Sequence, residues 1–113
     1  MERLIDHVRE EFKLNKPVKN SDATLREHLQ AVWEQTGIKP DGLNTPEPPS
    51  GLMYLFSYFN ELSLSRQYGM VVNPISYSDI LAWSILTKVS LAAWEIEVIK
   101  QIDIVYLNSQ TET

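Results

Sequence analysis

The side chains in this sequence that could do chemistry are two histidines, fifteen carboxylates and a scatter of serines. A protein metal site converges several histidines or carboxylates on one ion. His7 and His28 fall on different segments, and neither has a histidine partner one helical turn away. Glu10 and Glu11 share the neighbourhood of His7, as charged residues on any amphipathic helix do. A nucleophilic serine needs a strained turn or a histidine oriented by an acid. No G-x-S-x-G turn occurs, and Ser76 and Ser78 read as helix-start residues. The paired carboxylates are Glu10 with Glu11 and Glu95 with Glu97. Adjacent residues on a helix point about 100° apart and i, i+2 residues point nearly opposite ways, so neither pair can flank one bond. Four glycines and no phosphate-binding loop leave little backbone able to cradle a phosphate. The absence of cysteine excludes a disulfide framework and a thiolate metal site. These residues predict a protein that is not an enzyme and that uses no metal and no cofactor.

Two features remain. Asp103 stands between Ile102 and Ile104 in the most apolar stretch of the chain. A carboxylate there must reach the surface or be paired, because an unpaired buried charge is costly; Arg66 is a candidate partner for a structural salt bridge. The second feature is the aromatic load. Of eleven aromatic residues, eight lie between Tyr54 and Trp94. Aromatics dominate both cores and interface anchors. The cluster reads either as a dense core with tyrosines at its rim or as an exposed patch for a partner protein. Tyr54, Tyr58, Tyr77 and Trp94 are the candidate partner-binding residues.

These side chains must be positioned by helices. Leu4, Ile5, Val8 and Phe12 recur at three- and four-residue spacing and predict a first helix from Glu2 to about Leu14, ended by Pro17. Its single thin stripe and charged opposite face suit a core edge or an oligomerisation or docking arm. A second helix starts near Ser21 or Asp22, or at the alternative capping box of Thr24 and Glu27; it buries Leu25, Leu29, Val32 and Trp33 and stops at Gly37. Lys39 to Gly51 carries four prolines in 13 residues and reads as an extended strap over one body. A third helix, from Gly51 to Arg66, turns Leu52, Leu55, Phe56, Phe59 and Leu62 inward, with Tyr68-Gly69 at its end. Ser76 and Asp79 form a capping box for a fourth helix carrying Ile80, Trp83 and either Leu86 or Thr87 on one side. After a break at Lys88 to Ser90, a fifth helix from Ala92 to Leu107 turns Trp94, Val98, Ile99, Ile102, Val105 and Tyr106 inward. The fold class is all-α: a compact bundle of about five short helices with a proline-rich strap between the second and third. The organisation is an amphipathic helix and linker over residues 1–20, a helical domain over 21–107 and a disordered tail over 108–113.

The chain has 113 residues, one domain's worth, and a net charge of −5. That balance counts against nucleic acid, which attracts basic surfaces. The densest basic stretch is Lys13, Lys16 and Lys19 in a solvated loop. A helix-turn-helix regulator using the last two helices is disfavoured by Glu95, Glu97 and Asp103 against Lys100 alone. No apolar run approaches the ~20 residues that span a bilayer, and the first residues lack a signal peptide's apolar core. A cytoplasmic protein-binding factor, with room for a homo-oligomer, is the reading the residues give.

Four blocks add to it: Tyr54 to Arg66, Asn73 to Trp83, Leu91 to Glu95 and Ile102 to Leu107. In this order they resemble a family of small proteins from tailed bacteriophages and prophages, the tail assembly chaperones, and Leu25 to Pro40 is similar to the upstream part of such proteins. The resemblance implies a non-catalytic factor that helps assemble the tape-measure protein and the tail-tube protein in the host bacterial cytoplasm and is absent from the finished virion. A generic phage or bacterial adaptor or regulator is the alternative. Two departures stand out. Ala93 occupies the place of a proline that begins the last helix, and Lys88 the place of a glycine in the turn before it.

Overall fold

The computed structural model describes residues 2–18, 21–44, 47, 49–66 and 72–111. Its helices are α1 (Glu2–Leu14), α2 (Leu25–Thr36), α3 (Met53–Leu64), α4 (Tyr77–Thr87) and α5 (Ala93–Thr111). Short 3-10 turns at Asp41–Leu43 and Ser50–Leu52 lie between α2 and α3. No strand occurs among the described residues; the nearest thing to one is an isolated antiparallel bridge between Pro17 and Thr24. The chain is all-α, as its periodicity predicts.

The core gathers around α5. Val98, Ile99 and Ile102 of α5 meet Leu4 and Val8 of α1, Leu55, Phe59 and Leu62 of α3, Ile75 just before α4 and Ile80 in its first turn. The thin stripe of α1 is therefore occupied within the chain, against α5. Beside this aliphatic core, Phe12 sits 5.9 Å from Phe56, 5.7 Å from Phe59 and 5.2 Å from Tyr106 between ring centroids. Edge and tilted packing of this kind adds to the burial of each ring. His7 is buried at the same end, edge-on to Phe56.

The ends of α2 follow from local chemistry. Of the alternative starts, Thr24 is the one used: its Oγ1 accepts from the Glu27 amide at 3.2 Å, and Glu27 Oε1 accepts from the Thr24 amide at 3.3 Å. Ser21 is spent in the preceding turn, where its Oγ accepts from the Ala23 amide. Gly37 closes the helix in the left-handed region at φ 74°.

The expected burial of α2 fails. No residue of α2 is buried; Leu25 and Leu29 are partly covered, whereas Val32 and Trp33 are 45% and 42% exposed. The reason is position. α2 is tied to α1 by the Arg26–Glu11 ion pair at 2.6 Å, and Leu29 lies so close to Gly42 that a Cβ there would meet its Cδ1 at 2.8 Å. Neither neighbour reaches the far half of the stripe. The peripheral helix also lengthens the molecule: the radius of gyration is 15.9 Å, against about 13 Å for an evenly packed chain of this size.

Two other boundaries move. α5 runs to Thr111, so residues 108–111 are helix and not tail. Lys16 Nζ donates to the Ser109 carbonyl at 2.6 Å, a cation placed where the last turn leaves carbonyls unpaired. Glu112 and Thr113 lie outside the described residues, as do Tyr68 and Gly69, expected at the end of α3, and three strap residues, 45, 46 and 48. α3 itself ends at Leu64, two residues early, with Ser65 as its cap.

The break after α4 is made by Lys88, at φ 59° and ψ 34°. A left-handed residue with a Cβ is strained by roughly 1 kcal/mol relative to glycine. Lys88→Gly should therefore raise the unfolding free energy by up to about 0.5 kcal/mol, allowing for the entropy glycine adds to the unfolded chain. A urea midpoint that falls on this substitution contradicts the strain.

Candidate protein-interaction surface

The residues picked out by sequence separate into a buried group and an exposed one. Arg66 and Asp103 are brought together. Arg66 Nη2 stands 2.6 Å from Asp103 Oδ1, with the two side chains 0% and 3% exposed. The approach is out of line for a hydrogen bond, so Oδ1 is held by charge. The other atoms of the pair reach further. Arg66 Nη1 donates to the Asn73 carbonyl at 2.9 Å, its Nε and Nη2 face Ser63 Oγ, and Asp103 Oδ2 accepts the Ile75 amide at 2.9 Å. Lys100 Nζ donates to the Ile75 carbonyl. The guanidinium also lies over Tyr106, 4.7 Å from the ring centroid. The pair thus fastens the segment before α4 to α3 and α5, with both side chains buried.

Tyr54 and Tyr58 also turn into the protein. Their rings meet edge-on at 5.6 Å, and Tyr58 packs on Trp83 at 4.9 Å, which joins α3 to α4. Tyr54 Oη donates to Glu95 Oε2 at 2.6 Å, while Glu95 Oε1 accepts the Ala92 amide at 2.8 Å and caps α5. The hydrogen bond to Glu95, with lesser help from burial and from the carboxylate charge, pushes the Tyr54 phenol from 10.0 up to about 12. The Ala92 amide first, and then the Tyr54 hydroxyl, hold the Glu95 carboxyl below its usual value.

Tyr77 and Trp94 are the exposed pair, at 62% and 53%. The inward orientation expected of Trp94 is thus corrected: in the first turn of α5 it is the neighbouring Glu95 that faces α3, through Tyr54, and Trp94 lies in solvent. Tyr77 lies under Lys100 Nζ at 4.8 Å. Sequence reasoning missed more than it found here. Leu81, Ile85 and Leu86 on α4, Val32, Trp33 and Ile38 around the end of α2, Leu64 and Ile104 are all substantially exposed. One signal for α4 was available, because Ile80 to Leu86 is apolar on every side, and such a helix must be covered on every side or left with a bare face.

The catalytic candidates stay apart. Glu10 and Glu11 turn to different cations, Lys13 and Arg26. His28 faces Ser21 Oγ at 3.4 Å, far along the chain from buried His7. Among the described residues no group of three or more histidines or carboxylates could hold a metal ion, and no helix is long and apolar enough to cross a membrane.

Two predictions test this geometry. Removing one member of a buried ion pair strands the other, at a cost of about 3–5 kcal/mol. Arg66→Met should lose stability on that scale. Adding Asp103→Asn, which removes the charge but keeps an oxygen for the Ile75 amide, should recover part of it in urea unfolding. A loss under about 1 kcal/mol for Arg66→Met contradicts the buried pair. Glu95→Ala, which leaves no acceptor, should bring the Tyr54 midpoint down from about 12 toward 10.0, read from phenolate absorbance. The signs are opposite for the two groups. Tyr54 has a raised value, so its contribution to stability is complete below pH 10.0 and disappears as pH climbs through its folded value. Glu95 has a lowered value, so its contribution holds above the ordinary carboxylate range and is lost as pH falls through the depressed value. An unchanged Tyr54 midpoint in Glu95→Ala rules the hydrogen bond out as the cause.

A family model described as phage tail assembly chaperone matches residues 32–108. No curated protein and no solved structure gives a significant match to the chain. The matched segment takes in the end of α2, the ion-pair clamp, the Tyr54–Glu95 contact and the whole bare face of α4. Since it covers well over half of the chain, the protein belongs to the phage tail assembly chaperone family.

Proposed function

We propose that this protein acts by binding, without catalysis, on the tape-measure protein or the tail-tube protein of a phage in the host cytoplasm, and that it leaves before the virion is complete. Family membership supplies the tail protein as the class of partner. The observation that carries the choice of surface is the bare half of α2: Val32, Trp33 and Ile38 lie in solvent, with Ile38 73% exposed. All three fall inside the segment that matches the family, whereas Leu25 and Leu29, which the chain covers for itself, fall outside it. Tryptophan flanked by aliphatic residues is a common interface anchor. Lys39 lies over the Trp33 ring at 5.3 Å and keeps one face of it partly covered until a partner arrives. Trp94 provides a further exposed anchor on α5. A tape-measure protein is a long helical chain that needs cover until the tube surrounds it, and an apolar helix face suits such a segment.

The test is co-expression with the tape-measure and tube proteins of the source genome. One of them should co-purify, and Trp33→Ala together with Ile38→Ser should reduce its recovery at least about ten-fold, the change given by loss of roughly 1.4 kcal/mol. Both side chains are exposed, so circular dichroism should be unchanged. If neither protein co-purifies, and deletion of the gene leaves tails normal, the proposal fails.

A further inference from the structure

The two faces of α4 have opposite surroundings. Ile80 is buried and Trp83 partly so. Tyr77, Leu81, Ile85 and Leu86 are 62%, 61%, 66% and 82% exposed, and Ser78 and Ala82 are exposed between them. At 100° per residue, Ser78, Ala82 and Ile85 follow the line that points away from Ile80, with Leu81 on one flank and Leu86 on the other. The helix has 11 residues, of which Ile80 alone is buried. A helix this short is marginal without packing.

We infer that a second copy of the chain covers this face, α4 against α4, antiparallel about a two-fold axis beside Trp83 and Ser84. Three observations favour a second copy over another occupant. The first is size. Along the outward line the N-terminal half is small (Ser78, Ala82) and the C-terminal half is large (Ile85), so antiparallel pairing sets Ala82 of each copy against Ile85 of the other. Such an isologous contact satisfies both copies with one surface. The second is charge. The outward line carries none; Asp79 and Lys88 stand at the edges, and Asp79 is already engaged in the Ser76 capping box. A face without charge has no means of selecting a charged partner, and an identical uncharged face suits it. The third is area. The exposed parts of Leu81, Ile85 and Leu86 with Ser78 and Ala82 come to roughly 450 Å² per copy, well within the range of functional patches on a monomer. Two such faces total about 900 Å², in the range of weak, reversible contacts and below the ~1,200 Å² of stable ones, which fits a dimer that forms only at high concentration. This pairing does not rest on the tail-protein contact at α2.

Sedimentation of the full chain from ~1 μM to ~1 mM should show the mass rising from 13.0 kDa toward twice that value. Ala82→Glu, at an exposed position, should weaken the association at least about ten-fold with helicity unchanged. The absence of native cysteine permits a test of direction. In the antiparallel pair the two copies of position 82 are offset by about 5 Å along the helix axes and the two copies of position 78 by about 17 Å. A short bismaleimide should therefore join A82C subunits and not S78C subunits. A chain that stays monomeric throughout, association indifferent to Ala82→Glu, or equal crosslinking at both positions overturns the pairing. If the chain is monomeric and Ala82→Glu instead abolishes recovery of a tail protein, the face belongs to that protein and self-pairing is equally overturned.

Discussion

The arrangement of the second half of the chain depends on one buried pair of charges. Arg66 follows α3, Asp103 lies in the middle of α5, and the backbone they hold, Asn73 to Ile75, leads into α4. Ile75 shows how tight the specification is. Its side chain is in the core, its amide is bonded to Asp103, and its carbonyl is bonded to Lys100 one turn earlier on α5. A segment that must enter the core has to satisfy its backbone polar groups as well as bury its side chain. Here charged side chains from a neighbouring helix meet that requirement, and the Ser76–Asp79 capping box begins at the next residue. The desolvation cost of such a pair offsets much of its attraction. Its main contribution, in our reading, is to leave α4 only one place to start.

Much of this was visible in the sequence because it depends on residue type and short spacing. An aspartate enclosed by isoleucines has to find a cation, and Arg66 is one candidate that its place at the end of α3 offers. Capping boxes need two residues three apart, and Thr24 with Glu27 and Ser76 with Asp79 supply them. The stripe of α3 is read correctly for the same reason: Leu55, Phe59 and Leu62 recur at helical spacing and are buried. The end of α5 was not readable, because what prolongs it is Lys16, ninety-three residues away in sequence.

The exposed surface was hidden from sequence reasoning for a different reason. Periodicity identifies an apolar stripe but does not say whether the chain itself covers it. Leu25, Leu29, Val32 and Trp33 form one regular stripe, and its two halves differ only in how far α1 and the turn at Asp41–Leu43 extend. Likewise Tyr58 and Tyr77 are the same residue type on adjacent helices, yet one packs on Trp83 and the other lies in solvent. That difference follows from where α3 and α4 pack on each other, a tertiary fact that composition cannot supply.

A binding protein with bare apolar helices faces a conflict between staying folded alone and holding affinity in reserve. The division of labour here resolves it. α1, α3 and α5 carry almost all of the buried core, so the fold does not need the outer sides of α2 and α4. Those sides can remain weak individually. If α4 joins two copies, each dimer presents two α2 surfaces, and a second contact on one long partner becomes intramolecular, at an effective concentration in the millimolar range for closely linked sites. Two contacts too weak to matter singly can then hold a tail protein, and separation of the dimer on dilution or competition lets it go. Reversible cover of this kind is what an assembly factor requires, and a single large interface would not provide it.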